Sequence, residues 1–359
     1  MPTHTPLPVP ATGAAHRQGG DLRHLPGARN VLDLSTCVNR YGPPPTVREA
    51  LASVDARALL PHPYAASDEF TAAYAEHMGV DPAHLLAGRG ITEFLTLLAR
   101  VCPAEESTVV TPDYTDTIRL FPRHTGPAEG VRDTAQARAE RVERAMRRNR
   151  FTVLSNPNNP LGISVPRDEL VRICAANPGS VLIVDEAYID FTTGAEGSMT
   201  ASGLDNVVVL QSPNKPFGIA GVRTGGMWTR NAELRERVRR SLLNWPISYL
   251  DAAAATAALS ARAWASATLS SLVENGRRLE KLLTERFGDA VVPGAEAHYR
   301  FVHLEDPRPV YRRLVEAGVA VRIFSGSDPG RVSGMRIVAP TTPEMPRVEA
   351  ALARVPALP

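Results

Sequence analysis

The sequence is short of cysteine and of net charge, and each shortage excludes a class of protein. Its three cysteines lie far apart and show no C-x-x-C spacing, which argues against a disulfide framework or a zinc site and fits a reducing compartment. The 40 basic and 38 acidic residues leave a formal net charge of +2. This balance provides no electrostatic footprint for nucleic acid or an anionic membrane surface. We therefore expect neither partner, and no bound metal.

Long apolar runs are also missing. No stretch approaches the length needed to span a bilayer, and the first residues lack the basic and apolar regions of a signal peptide. Of 359 residues, 43% are hydrophobic and 22% are charged, as in ordinary globular proteins. We expect a cytoplasmic protein with one large domain and a smaller companion.

Short apolar segments alternate with amphipathic ones along most of the chain. Strand–helix alternation with nearly continuous apolar strands predicts an α/β fold, in which a mostly parallel sheet is covered on both faces. Strands are predicted over 31–38, 107–112, 151–157, 180–188 and 206–213, with helices over 91–102 and 167–177.

The pattern changes after residue 230, where long helices are followed by short strands. This change predicts a smaller α+β domain near the C-terminus. Its helices are expected over 251–263, 265–287 and 343–354, and its strands near 299–304, 319–323 and 334–338. The expected organisation is a flexible arm (1–28), a segment joining the small domain (29–45), a large domain (46–250) and a small domain (251–359).

An acidic residue, Asp185, lies near the end of the predicted strand SVLIVDEAY, and Tyr188 follows three residues later. A buried acid needs a cationic partner, and the protonated pyridine nitrogen of pyridoxal 5′-phosphate (PLP) is one such partner. Taken alone, Asp185 fits a helix cap or a metal ligand equally well, and Tyr188 fits a packing residue.

Lys215, in the segment NVVVLQSPNKPFGIAGVR, follows another predicted strand. An arbitrary lysine is usually a surface residue, but here Arg223 follows after a run of small residues. A lysine for the aldehyde of PLP and an arginine for its phosphate form a sensible pair, with Ser212 as a further donor. Cationic or apolar neighbours would lower the pKa of the lysine and favour imine formation.

Three further positions could complete a PLP site. In LLAGRGITEFL, the amides of Gly90, Ile91 and Thr92 at a helix N-terminus would hold a phosphate, although paired glycines occur in many turns. Tyr114 of TPDYTD could stack on the pyridine ring, or simply pack in the core. Asn159 of NPNNPLG could donate to the ring oxygen O3′, or belong to an ordinary surface turn.

Together, GRGITE, PDY, NPNNPLG, DEAY and NKPFGIAGVR resemble the fold type I PLP-dependent enzymes. The closest resemblance is to the histidinol-phosphate aminotransferase and threonine-phosphate decarboxylase subgroup of the class I/II aminotransferases. QGGDLR and DLSTCVNRYGPPP are similar to the start of the threonine-phosphate decarboxylases. MRIVAPTTPE matches the C-terminal segment whose arginine binds the substrate's anionic group.

This resemblance implies that Lys215 carries PLP as a Schiff base, and that a homodimer completes each active site with residues of its partner. The implied roles are Asp185 at the pyridine nitrogen, Tyr188 and Asn159 at O3′, Tyr114 stacked on the ring, Gly90, Ile91, Ser212 and Arg223 at the phosphate, and Arg336 at the substrate anion.

Several positions depart from the family pattern. Asn214 precedes the lysine where serine is usual, and Leu161 stands where a small hydroxyl residue is usual. His62 falls where the family has a tyrosine that reaches the neighbour's phosphate, with Tyr64 as the alternative. His298 stands where an asparagine commonly lies near the substrate. The substrate positions therefore differ more than the cofactor positions, and Asn39 is expected to help orient the substrate with them.

The resemblance implies chemistry at the Cα of an amino acid or amino acid conjugate, through an external aldimine. An aminotransferase-like reaction is expected first. Decarboxylation, simple or coupled to oxidative deamination, and C–S cleavage are the alternatives. The Arg- and Pro-rich, Lys-poor composition suggests a high-GC actinobacterium and a role in antibiotic biosynthesis. A PLP-sensing domain of a transcription regulator is disfavoured, because 28 residues leave no room for a helix-turn-helix domain upstream.

Overall fold

The computed structural model describes residues 20–22, 25, 30–128, 131–192, 197–326 and 330–357. The predicted flexible arm lies almost entirely outside these residues, and the QGGDLR segment lies partly outside them. The strands are β1 (Leu32–Asp33), β2 (Leu85–Gly88), β3 (Ser107–Val110), β4 (His124–Thr125), β5 (Phe151–Ser155), β6 (Val181–Asp185), β7 (Val207–Gln211), β8 (Gly225–Trp228), β9 (Tyr299–His303), β10 (Val319–Ala320), β11 (Arg322–Phe324) and β12 (Gly334–Val338).

Helices separate most of these strands. Among the described residues, none of the helices is long and apolar enough to cross a membrane. The helices are α1 (Pro45–Ala52), α2 (Tyr64–Met78), α3 (Ile91–Val101), α4 (Thr115–Leu120), α5 (Ala135–Arg148), α6 (Arg167–Ala176), α7 (Ala232–Ser241), α8 (Tyr249–Leu259), α9 (Arg262–Phe287), α10 (Arg308–Glu316) and α11 (Met345–Ala353).

The central sheet has seven strands in the order β2-β8-β7-β6-β5-β3-β4. Strand β8 runs antiparallel to both β2 and β7, and the other neighbouring pairs are parallel. The predicted mostly parallel sheet is therefore confirmed. Parallel strands need crossover connections, and helices supply them here.

Alternate residues of the central strands enter two different hydrophobic clusters, because successive side chains of a strand point to opposite faces. Leu154 and Leu182 pack in the cluster that contains α2, α6 and α8. Val153 and Ile183 pack in the cluster that contains α3 and α7. Both faces of the sheet are thus covered, which explains why the strands read as continuous apolar runs.

A third cluster surrounds a smaller antiparallel sheet of order β11-β12-β9. Strands β9 and β12 lie where the sequence predicts them, whereas the single strand predicted near 319–323 is divided between β10 and β11. The N-terminal segment joins it, because β1 pairs in parallel with β10. Only Leu32–Asp33 of the predicted strand over 31–38 pairs in this way. The rest of that segment turns toward the central sheet instead, where the Asn39 amide donates to the Lys215 carbonyl at 2.8 Å.

The long helix α9 joins the two cores. Ala265 packs in the cluster of α2 and α8, Leu272 packs around the small sheet, and Leu269 contacts both. Helix α8, which was expected to begin the small domain, packs with α1 and α2. We propose that the domain boundary lies within α9 near Leu269, rather than at residue 250.

Candidate active site

Polar side chains gather at the carboxyl ends of the central strands, where open α/β sheets bind ligands. Asp185 ends β6, Ser212 follows β7, and Tyr114 follows β3. They line a cavity of about 500 Å³. Its lining contains Gly90, Ile91, Thr92, Tyr114, Asp116, Asn159, Asp185, Ala187, Tyr188, Ser212, Asn214, Lys215, Ala220 and Arg223.

Lys215 projects from a loop fixed from both sides of its backbone. The backbone amide of Asn39 donates a hydrogen bond to the Lys215 carbonyl, and the side-chain amide of Asn39 donates to the Pro216 carbonyl at 2.8 Å. Gly218 has φ +68°, and a Cβ there would lie 2.7 Å from Gly42, so only glycine fits this close approach. Burial lowers the pKa of the Lys215 amine. The charges of Arg336 and Arg223 also lower this pKa, whereas Cys37 and Asp185 raise it.

Asp185 is buried and lines the same cavity as Lys215. One carboxylate oxygen accepts from the Ala187 amide at 3.0 Å. Burial, together with the nearby Asp113 carboxylate, raises the pKa of this carboxyl to about 7, against the hydrogen bond from Ala187. A cationic ring nitrogen beside Asp185 would favour its ionised form.

The other end of the cavity can bind an anion. Helix α3 starts at Gly90 without a side-chain cap, so its first N–H groups are available to a ligand. Gly90 has φ +84°, and a Cβ there would lie 3.2 Å from the Arg223 guanidinium. The glycine therefore brings the helix N-terminus and the arginine together. This arrangement suits a phosphate dianion.

Asn214, which stands where serine was expected, is tied to the strand beside it. Its side-chain oxygen accepts from the Thr224 hydroxyl at 3.1 Å, and its backbone amide donates to the Ser212 hydroxyl at 3.2 Å. Ser212 in turn donates to the Thr224 carbonyl at 2.8 Å. The departure at Asn214 thus preserves a rigid approach to Lys215.

A second, smaller cavity of about 130 Å³ adjoins the first and shares Tyr114, Asn159, Tyr188 and Lys215 with it. Arg336 lies here and donates to the Asn159 side-chain oxygen at 2.5 Å and to the Ser35 carbonyl at 2.9 Å. The residues that line only this cavity are Ser35, Thr36, Cys37, Asp113, Thr115, Arg322, Phe324 and Arg336.

A buried ion network connects the two loops that carry Tyr114 and Asn159. Arg138 donates to Asp113 at 3.0 Å and to the Val110 and Pro112 carbonyls. Asp113 accepts from the Ser155 amide at 2.7 Å and from its hydroxyl at 2.9 Å. The Ser155 hydroxyl also accepts from the backbone amide of Asn159 at 3.0 Å. Tyr114 and Asn159 are therefore positioned relative to each other through charged groups.

Four predicted residues lie outside both cavities. Asn39 supports the backbone of the lysine loop, and its side-chain amide also donates to Thr268 at 2.9 Å. His298 is fully buried, stacks on Phe191 at 3.6 Å, and has no hydrogen-bond partner on either ring nitrogen among the described residues. His62 stacks on Trp245 at 3.7 Å, and Tyr64 meets the same ring edge-on.

The chain matches known proteins over nearly its whole length. Residues 29–355 match the family described as aminotransferase class I and II. The chain belongs to the aminotransferase class I and II family. It is 30% identical over 332 residues to a histidinol-phosphate aminotransferase of Pseudomonas putida, covering 89% of this chain and 92% of that protein.

Solved structures share the fold of this aminotransferase family member. The histidinol-phosphate aminotransferase of Clostridium acetobutylicum superimposes with a TM-score of 0.80 at 18% identity, covering 90% of this chain and 98% of that one. That of Sinorhizobium meliloti, in complex with PLP, gives 0.72 at 22%, covering 89% and 88%. The threonine-phosphate decarboxylase of Porphyromonas gingivalis gives 0.73 at 20%, covering 90% and 98%.

The residues of the larger cavity fit PLP. The anion-binding residues Gly90 and Arg223, the buried acid Asp185 and the amine of Lys215 line one cavity, and a Cβ at Gly90 would crowd the guanidinium. Among the described residues, no cluster of three or more His, Cys, Asp or Glu side chains could hold a metal ion.

The cavity residues that sequence reasoning did not assign to the site include Asp116, Asp113, Arg322 and Cys37. Asp116 accepts from the Tyr114 hydroxyl at 2.8 Å. Arg322 pairs directly with Arg336 across β11 and β12, and the register of these short strands is not visible in the sequence. Asp113 directly precedes Tyr114 after a predicted strand, which is a signal that could have identified it.

Proposed function

We propose that this family member is a PLP-dependent, aminotransferase-like enzyme that acts at the Cα of an amino acid or amino acid conjugate. The observation that carries the proposal is the position of Lys215 where two cavities join. One cavity holds Asp185 and the anion site, and the other holds Arg336. A cofactor aldehyde and a substrate amine would meet at this junction.

The chemistry that bound PLP supplies is withdrawal of electrons from the substrate Cα, helped by a carboxylate at the pyridine nitrogen. Asp185 would hold that nitrogen, with Tyr114 stacked on the ring and Asn159 and Tyr188 near O3′. Gly90, Ile91, Thr92, Ser212 and Arg223 would bind the phosphate, and Asn214 would support the lysine loop.

Lys215 would also move the proton at Cα once the substrate amine has displaced it. A lowered pKa keeps more of its amine neutral, which a general base requires. The low exposure of the surrounding side chains excludes water from this proton.

Arg336 would bind the anionic group of the substrate. Its guanidinium is buried and already fixed by Asn159 and Ser35. It lies over the rings of Tyr299 and Phe324 at 5.6 and 5.7 Å. A fixed fork of this kind orients a carboxylate, and that orientation decides which Cα bond is broken.

We further propose that the chain forms a homodimer. Exposed apolar side chains concentrate in two segments joined by the His62–Trp245 stack, which we call the apolar patch: Leu59, Leu60, Tyr64, Leu243, Trp245 and Leu250. Leu60 is its most exposed member at 91%, and a contiguous exposed apolar patch marks an interaction site. A second copy would cover the patch and bring His62 or Tyr64 toward the partner's phosphate site.

A role in secondary metabolism is a finer proposal, supported by the Arg- and Pro-rich, Lys-poor composition and by the departures from the family pattern. Leu161 is one of these, and it packs in a small cluster with Val292 and Phe301 that also contacts Phe324 of the smaller cavity. Growth complementation tests this role. The chain should fail to restore histidine-independent growth to a bacterium that lacks histidinol-phosphate aminotransferase, and full restoration would contradict the proposal.

The main proposal is tested by spectroscopy of the purified protein with PLP. A Schiff-base absorption band is expected, and Lys215→Ala should lack it. Mixing with a panel of amino acids should then produce pyridoxamine 5′-phosphate and an oxo acid. Release of CO₂ or of a thiol instead would assign a decarboxylase or a C–S lyase, and absence of any band would contradict the proposal.

A further inference from the structure

We propose that Cys37 is a specificity-determining residue, whose thiol contacts the bound amino substrate and limits the size of the group next to Cα. This inference rests on the proposed function, because it places the substrate in the cavity that Cys37 lines. It adds a contact that neither cation of the site supplies.

The backbone around Cys37 connects the two cationic residues of the site, Arg336 and Lys215. Ser35, two residues before it, accepts from Arg336 at 2.9 Å. Asn39, two residues after it, donates from its backbone to the Lys215 carbonyl at 2.8 Å. Cys37 is therefore the midpoint of a short segment anchored to the anion-binding arginine at one end and to the lysine loop at the other.

The side chain of Cys37 faces the space between those cations. It lines the cavity of about 130 Å³ together with Lys215, Arg336 and Tyr188. At roughly 30 Å³ for each water molecule, such a cavity holds only about four waters. One or two additional heavy atoms on the sulfur would fill a large part of the space that a substrate needs.

A second group in this cavity is also prepared for a ligand. Arg336 is 7% exposed, and its buried Nε atom has no hydrogen-bond partner among the described residues. An uncompensated donor of this kind is costly unless a ligand satisfies it. Cys37 also packs in the cluster around the small sheet, but it is the one described cysteine that lines either cavity. Cys102 and Cys174 pack in the hydrophobic clusters on the two faces of the central sheet and line neither cavity.

The thiol acts as a neutral contact. Burial raises the pKa of Cys37 above its ordinary value, against the opposing effects of Arg336, Lys215 and a hydrogen bond shared with Tyr188. A protonated thiol is a poor nucleophile. Cys37 thus shapes the site without taking part in bond making.

The test uses the PLP-loaded protein with Cys102→Ala and Cys174→Ala, so that Cys37 is the only thiol. Methyl methanethiosulfonate is the reagent, because it adds only a methylthio group. The Cys37 sulfur bonds to the reagent's methylthio sulfur, the bond to the sulfonyl sulfur breaks, methanesulfinate leaves with the electron pair, and the thiol proton passes to solvent. Dithiothreitol reverses the modification.

Aminooxyacetate is the probe of the site, since it carries a carboxylate for Arg336 and displaces the lysine from the cofactor aldehyde. Loss of the Schiff-base band measures its rate. After methylthiolation we expect the band to persist and the rate to fall by roughly tenfold or more, equivalent to ~1.4 kcal/mol in the barrier. Dithiothreitol should restore the rate, and a Cys37→Ala variant should not respond to the reagent.

A Cys37→Leu variant tests the inference if the reagent does not reach the sulfur. Cys37→Leu should retain the Schiff-base band and slow aminooxyacetate by a similar factor. Mass spectrometry of the Cys37 peptide gives a readout independent of activity, since prior treatment with aminooxyacetate should slow its methylthiolation.

Two results would overturn the inference: full modification of Cys37 without a change in rate, or an unmodified Cys37 together with a Cys37→Leu variant of normal rate. Either result with the band intact would leave the proposed function standing. Absence of the band from the unmodified protein would instead contradict the proposed function itself.

Discussion

At the residue scale, Arg336 and His298 show how burial separates a binding residue from a packing residue. Arg336 lies on β12 of the small sheet and His298 directly precedes β9. Both were expected to contact the substrate. Only Arg336 lines a cavity. Burial and the nearby cations Arg336, Arg300 and Lys215 lower the pKa of His298 well below its usual range. Its imidazole is therefore neutral and packs against Phe191.

We expect Arg336→Leu to raise the KM for amino acid substrates by roughly 10- to 100-fold, because a charge-assisted hydrogen bond contributes about 1.5–3 kcal/mol. His298→Leu serves as the matched variant and should change that KM by less than about threefold, since it loses no polar contact. Steady-state kinetics of the two variants checks this. A comparable rise of KM in both variants would contradict this account and indicate that His298 contacts the substrate.

Glu186, next to Asp185, gives the stability of the protein a pH dependence. Burial raises the pKa of its carboxyl to about 7, against hydrogen bonds from Met199, Ser198 and Gln211. The folded state therefore binds more protons than the unfolded state between the ordinary value of 4.5 and about 7. Stability contributed by this group is present at low pH and is lost as pH rises through that window.

Urea unfolding of the cofactor-free protein across this range checks the sign. The free energy of unfolding of the wild type, minus that of Glu186→Gln, should decrease as pH rises from 4.5 to about 7. Above that range the difference should level off. A difference that rises with pH would contradict a raised pKa.

The sequence predicts most of the larger cavity at this scale. Eleven of its lining positions, including Lys215, Asp185 and Arg223, follow from motifs at strand ends. Asp116 of the larger cavity and Arg322 of the smaller one do not follow from such motifs, because their positions depend on a loop conformation and on a strand register. Asn39 was assigned to the substrate for its position in a motif, whereas its amide is occupied by backbone and Thr268.

At the element scale, the parallel strands at the centre of the large sheet are predictable, whereas its antiparallel strands β2 and β8 are not. Strands β5, β6 and β7 lie within their predicted ranges, because both of their faces are buried and their sequences are continuously apolar. Strands β2 and β8 contain glycine at the paired positions Gly88 and Gly225, and such short segments read as turns.

The ion network behind the active site is the element-scale feature with the largest expected effect. Arg138 is fully buried and pairs with Asp113 and with Asp133. Arg138→Met should lower the free energy of unfolding by about 3–5 kcal/mol, because it leaves two buried carboxylates without this partner. It should also weaken PLP binding, since Tyr114 and Asn159 lose their common support.

Chemical denaturation and a PLP titration measure the two effects. Adding Asp113→Asn to Arg138→Met should recover part of the lost stability, as expected when an uncompensated charge is removed. Arg239→Met, which breaks the exposed pair with Glu236, is the control and should have a much smaller effect. Equal losses from Arg138 and Arg239 would contradict the account.

At the scale of the whole molecule, the apolar patch should hold two copies together. Leu60→Asp places a charge at its most exposed side chain and should shift the protein from dimer to monomer in analytical ultracentrifugation. Val131→Asp, at another exposed apolar residue outside the patch, should leave the dimer intact. A monomeric wild type, or dissociation by both substitutions, would contradict this assignment.

The central claim is that Lys215 carries the cofactor, and the composition allows a direct test. The chain has only two lysines, Lys215 and Lys281, and only Lys215 lines the cavity with Asp185 and Arg223. Borohydride reduction of the PLP-loaded protein, followed by peptide mass spectrometry, should place one phosphopyridoxyl group on Lys215. Lys281→Arg should retain it and Lys215→Arg should lose it. A label on Lys281, or none on either lysine, would contradict the account.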